Sequence, residues 1–117
     1  MRTKKETIQR LMKLLGVFTM DYLSDLEKIE DEKKLCAEAE ETGEPKIIVL
    51  TGEQNAKVML NCMKEIRKAV KFMNDDENEI NDWQLAGINA MFDTVNETKE
   101  IPYDLPYAVC GILGTDF

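Results

Sequence analysis

Histidine is absent from this 117-residue chain. Without an imidazole, the chain alone cannot build a histidine-based catalytic triad, a histidine–metal centre or a pH switch near neutrality. Cysteine is scarce: Cys36, Cys62 and Cys110 are odd in number, widely separated, and include no C-x-x-C pair. That pattern fits three reduced thiols in a reducing compartment better than a disulfide framework. Long apolar runs are missing too. Charge-free stretches such as residues 14–20 and 105–115 fall far short of the roughly 20 residues that a membrane-spanning helix needs. Lys13 interrupts the apolar stretch behind the basic start, and no small-residue cleavage site follows. The expected location is therefore cytoplasmic, with no membrane partner.

What remains is the balance of a globular domain, 44% apolar and 32% charged. A single helical domain over residues 1–117 is expected. A chain of this length buries roughly two thirds of its unfolded surface, so it needs no metal or disulfide staple. No cofactor is expected either.

Helical periodicity dominates. Thr3 and Glu6 are spaced as a capping box, in which each side chain satisfies the other residue's backbone N–H. Behind them Ile8, Leu11, Leu15, Phe18, Tyr22, Leu26 and Ile29 recur at steps of three and four, and a weaker pattern continues to Thr42 before Gly43 and Pro45. One helix over residues 4–42 would be about 58 Å long at 1.5 Å per residue. That is too long for a compact domain to cover, so a break is expected at residues 16–19 or 30–33.

Residues 46–50, Lys-Ile-Ile-Val-Leu, have strand character but no second strand to pair with in the same chain. A second capping box, Thr51 with Gln54, opens a helix whose apolar face is Met59, Cys62, Met63, Ile66, Ala69, Val70 and Met73. After an acidic loop at 74–78, a third helix is expected over residues 79–97, burying Ile80, Trp83, Gly87, Met91 and Val95. Pro102 and Pro106 end it, and the apolar tail 106–113 can dock as a helical turn with proline near its start. The fold class is mostly α: a small bundle of three to five helices, with a short strand near 46–50 as an option.

Charge is laid out in alternating blocks. Residues 1–13 hold five basic and one acidic side chain, 14–45 three and ten, 46–73 six and two, and 74–117 one and ten, within a net charge of -8. Lys57, Lys64, Lys68 and Lys71 form a basic stripe at helical spacing, a candidate phosphate-tracking surface. The stripe lacks interleaved aromatics for base stacking, so a solvated face is its simpler reading. Asp75, Asp76, Glu77, Glu79 and Asp82, joined at a distance by Asp93 and Glu97, form the candidate partner-binding surface. A fixed array of carboxylates can imitate nucleic-acid phosphates and occupy a protein's basic groove. No register of residues 74–85 supplies both the glycine and the final glutamate of a calcium loop, so no metal is assigned.

Residues 11–17 resemble the turn of a helix-turn-helix DNA-binding domain: Gly16, Val17 and Tyr22 fit the pattern, whereas Met12 and Asp25 depart from it. The resemblance implies a second helix over residues 19–31. That segment carries Asp21, Asp25, Glu27, Glu30 and Asp31 against Lys28 alone, which phosphates would repel. Direct nucleic-acid binding is accordingly disfavoured.

The function expected from these features is a non-catalytic helical interaction module that regulates or inhibits a macromolecular partner. Its most specific form is an acidic nucleic-acid mimic of the sort phages and mobile elements encode, acting on a basic nucleic-acid-binding protein. The alternatives are a helix-turn-helix-like DNA-binding regulator using Lys4, Lys5, Arg10 and Lys13, and a small self-assembling subunit, a homo-oligomer.

Overall fold

The computed structural model describes residues 2–43 and 52–115, and of residues 36, 39, 40 and 42 only the backbone. Four helices occur among them: α1 (Lys4–Thr42), α2 (Gly52–Asn74), α3 (Asp82–Thr98) and α4 (Leu105–Leu113). The mostly α bundle expected from sequence is what forms. The strand option at 46–50 and the Thr51 half of the second capping box lie outside the described residues.

The first correction concerns α1, which does not break. Its start is the expected capping box, with Glu6 N–H donating to Thr3 Oγ1 at 3.2 Å, and its stop is Gly43 at φ 66°. Between them no proline interrupts the hydrogen-bond ladder, and Gly16 costs only about 1 kcal/mol relative to alanine. Thr19 donates its hydroxyl back to the Leu15 carbonyl at 2.7 Å, an arrangement that stays within the helix. At the other expected break Glu32 remains helical, and its Oε1 accepts from the Gly52 N–H at 3.3 Å. A carboxylate there also meets the positive end of the α2 dipole.

Gly52 lets the first described turn of α2 lie close against α1. A Cβ at this position would lie 3.1 Å from Lys28 Cβ and 3.2 Å from the Asp25 carbonyl oxygen, so only glycine permits this approach without displacement. From that crossing α2 runs back antiparallel along α1. Its buried face is Ala56, Met59, Cys62, Met63, Ile66, Ala69 and Met73, with Val70 half-buried at the margin. This is the face expected from the 3.6-residue pattern.

The second correction concerns α3. It begins at Asp82 behind the N-cap Asn81, whose backbone N–H donates to Gln84 Oε1 at 2.8 Å in a capping box, while Glu77 N–H on Asp75 Oδ1 and Asn78 Nδ2 on the Phe72 carbonyl hold residues 75–78 in a turn. Its buried residues are Gln84, Leu85, Ile88, Asn89 and Phe92. The face expected from apolar spacing is thus rotated by about one residue, roughly 100°. Ile80, Gly87, Met91 and Val95 are half-buried at its edge, and Trp83 is 65% exposed. Two polar residues take the inner face because each finds partners there. Gln84 Nε2 donates to the Ile112 carbonyl, and Asn89 Nδ2 to Thr7 Oγ1.

The tail forms α4 as expected, with Pro106 in its first turn and Gly114 at φ 76° ending it. It lies on α2, where Cys110 Sγ donates to the Glu65 carbonyl at 3.2 Å. With α3 bonded to both α1 and α4, these two shorter helices cover one face of the α1–α2 hairpin. The core between them gathers Leu11, Phe18, Met63, Ile66, Met73, Ile88, Phe92 and Val109. The opposite face of the hairpin carries no further described helix. Residues 30–43 of α1 continue past Gly52, giving a longest dimension of 62 Å.

Candidate interaction surfaces

The acidic residues singled out from sequence divide into two groups. Asp75, Asp76, Glu77 and Glu79 sit on the α2–α3 connection and Asp82 opens α3, and all five are exposed. Asp75 is held in place, since its carboxylate accepts the Glu77 N–H at 3.0 Å. Trp83 follows directly on the outer face of α3. Asp93 and Glu97 lie about 16 and 22 Å further along the helix axis. Helical geometry sets them on the same edge as Asp82, with Ala86 and Ala90 between.

Asp93 is not a free carboxylate. Arg10 Nη2 reaches its Oδ1 at 2.9 Å, while Arg10 Nη1 donates to Asn89 Oδ1 at 3.0 Å and to the Asn89 carbonyl at 3.3 Å. The same guanidinium stands 5.5 Å from the centroid of the Phe92 ring, within cation–π range. Asn89 completes the node by donating to Thr7 Oγ1 and to the Leu85 carbonyl, both at 2.8 Å. Charge spacing alone could not reveal this node, because Asn89 and Thr7 are uncharged and lie 82 positions apart. Arg10, grouped by sequence with a DNA-contacting surface, is a tether between α1 and α3.

Beside that tether, Arg2, Gln9, Lys13, Phe92 and Asn96 line an open cleft of about 400 Å³. Arg2 and Lys13 are its exposed cations. The turn required by the helix-turn-helix resemblance does not occur, since residues 11–31 lie on one unbroken helix.

The basic stripe stays together on α2. Lys57, Lys64 and Lys71 are exposed, and Lys68 is half-buried with its Nζ 3.1 Å from Glu65 Oε2. One quarter of the stripe is therefore engaged locally. Near it, Cys62 donates to the Tyr103 carbonyl at 3.4 Å. Desolvation by burial pushes the thiols of Cys62 and Cys110 above the ordinary range, and the Glu65 carboxylate adds to this in both. Both are therefore weak nucleophiles at neutral pH. Among the described residues no group of histidine, cysteine, aspartate or glutamate side chains is arranged to hold a metal ion. No described helix is long and apolar enough to cross a membrane.

Compared with protein-family models, curated proteins and solved structures, the chain matches none. The functional reading accordingly rests on the surfaces themselves.

Proposed function

We propose that this chain is a non-catalytic interaction module that binds a basic protein partner through the corner where the α2–α3 connection meets α3. The observation that carries the reading is Trp83. The residue is 65% exposed in the first turn of α3, and exposed carboxylates precede it at 75–77, 79 and 82. An indole surrounded by charge is the composition of a protein-binding anchor with a polar rim. The carboxylates would steer a basic surface toward it and make association depend on salt.

The narrower form, an acidic mimic of nucleic acid that inhibits a nucleic-acid-binding protein, draws on the same carboxylates and on the net charge of -8. The Arg10–Asp93 ion pair removes one carboxylate from that array, leaving Asp75, Asp76, Glu77, Glu79, Asp82 and Glu97 to supply it. The test is capture of partners on the immobilised full chain at low and high salt. The Trp83→Ala variant and the D75N/D76N/E77Q/E79Q variant are run alongside. The expected result is a basic protein whose retention falls steeply with salt and with either variant. A partner retained equally by wild type and both variants overturns the reading. Displacement of duplex DNA or RNA from the captured protein would support the mimic form.

A further inference from the structure

The hairpin face away from α3 and α4, on which no further described helix lies, carries a second apolar stripe on α1 that runs outward from the edge of the core. The inner face buries Thr7, Leu11, Leu14, Phe18 and Asp25. Roughly 100° around the helix, Ile8, Met12, Leu15, Thr19, Leu23 and Leu26 recur at steps of four, three, four, four and three; Ile8 and Leu15 pack half-buried on the core's edge, and Met12, Leu23 and Leu26 are the exposed apolar positions. Met12 is 50% exposed and Leu23 51%. Leu60 of α2, 49% exposed, comes level with Thr19 on the same face, given the antiparallel run from Gly52. Apolar side chains at heptad-like spacing on a helix surface are what a second helix packs against.

We infer that the occupant of this stripe is a second copy of the chain, its α1 lying antiparallel along the first. The stripe is self-complementary about a point between Val17 and Phe18. An antiparallel copy sets Lys5 opposite the partner's Glu30, Met12 opposite the partner's Leu23, and Gly16 opposite the partner's Thr19. All of these except half-buried Thr19 are exposed. Charge selects this orientation over the parallel one. Residues 2–13 carry +4 and residues 22–33 carry -3. Leaving out Arg10, engaged by Asp93, and the buried Asp25, the ends still carry +3 and -2. A parallel pair would set like on like along the whole helix.

Gly16 points the same way independently. It stands mid-helix at the centre of the stripe, and a Cβ there would meet nothing within 4 Å. Nothing among the described residues requires glycine at that position. A close approach of two helix backbones beside the two-fold axis does. Closed two-fold pairing of this kind uses the same patch on both copies.

The experiment is sedimentation equilibrium of the full chain from low to high micromolar concentration. Wild type, M12D/L23D, K5E, E30K and K5E/E30K are compared, with circular dichroism to verify that each is folded. Because Met12, Leu23, Lys5 and Glu30 are exposed, all five should stay helical. Wild type should reach a dimer mass, M12D/L23D should remain monomeric, and each single charge reversal should weaken association several-fold. The double reversal should restore it, because opposite charges again meet across the antiparallel pair. A monomer at every concentration overturns the inference. So does a dimer indifferent to M12D/L23D, or one in which the double reversal fails to rescue.

Discussion

Replacing Asn89 by alanine tests whether the polar node between α1 and α3 holds the bundle together. Asn89 is 7% exposed and takes part in three side-chain hydrogen bonds: it donates to Thr7 Oγ1 and the Leu85 carbonyl and accepts from Arg10 Nη1. The Leu85 bond is dispensable, because that carbonyl already serves the helix ladder. Losing the Thr7 bond costs about 1 kcal/mol, and losing the charge-assisted Arg10 bond a further 1.5–3 kcal/mol or so. Arg10 retains Asp93 and the Asn89 carbonyl, and Thr7 still donates to the Thr3 carbonyl at 2.8 Å, which caps the damage. The expected loss is about 3 kcal/mol, a large part of the 5–15 kcal/mol or so that stabilises a typical domain.

Urea denaturation should read this as a midpoint lowered by about 1–2 M with an unchanged slope. In the Thr7→Ala/Asn89→Ala cycle the double variant should lose about 1 kcal/mol less than the sum of the singles. Asn89→Asp keeps the acceptor for Arg10 but turns two donating contacts into facing oxygens, so it should destabilise as well. A loss under about 0.5 kcal/mol for Asn89→Ala, with strict additivity, refutes the node as the tether.

Two glycines should respond in opposite directions. Gly16→Ala should stabilise the monomer by about 0.5–1 kcal/mol, whereas Gly52→Ala should lower the thermal midpoint because its Cβ has no room beside Lys28 and Asp25. Glu32→Gln keeps an acceptor for the Gly52 N–H but removes its charge from the α2 dipole, costing about 0.3–1 kcal/mol in low salt and less in high salt. In a Cys36→Ser background, thiol reagents should label Cys62 and Cys110 only as fast as the protein opens. Because burial raises both thiols, unfolded chains ionise first, so their stabilising contribution is full below the ordinary thiol value of about 8.5 and falls as pH rises above it. Urea midpoints that stay level across that alkaline range would contradict the assignment.

Where one residue type repeated at one period, the sequence was readable. The α2 face from Met59 to Met73, the Thr3–Glu6 cap, the Gly43 stop and the proline at the start of α4 all followed from local chemistry. The phase of α3 was not readable, because Gln84 and Asn89 are polar and turn inward only once the Ile112 carbonyl and Thr7 are in place. Those partners are distant in sequence, so an apolar periodicity necessarily selected Trp83 instead. The continuity of α1 failed for a related reason. Its expected break came from a limit on how much helix a small domain can cover, and that limit does not apply to a helix running beyond its own bundle. For the acidic surface, sequence found the residues of the exposed corner but could not see that Asp93 is held by Arg10.

The overhang of α1 separates what folds the domain from what the domain presents. All its described buried side chains lie between Thr7 and Asp25. Beyond residue 29, every described side chain is exposed except Glu32, which is half-buried at its Gly52 contact. A helix of thirteen residues is marginal alone in water, but here the costly nucleus is already formed by the anchored half, and each added residue needs only propagation. Glutamate, lysine and alanine fill that stretch and suit propagation, with like charge on its many carboxylates opposing it. Amide hydrogen exchange should therefore fall into two classes along one continuous helix. Protection near the global stability is expected at residues 11–25, decaying toward residue 42. If α1 pairs with a second copy, raising the concentration should slow exchange around residues 22–33, where that copy's basic end would lie, and leave residues 36–42 fast. Uniform protection along all of α1 in the monomer would mean that the overhang is packed against something in its own chain.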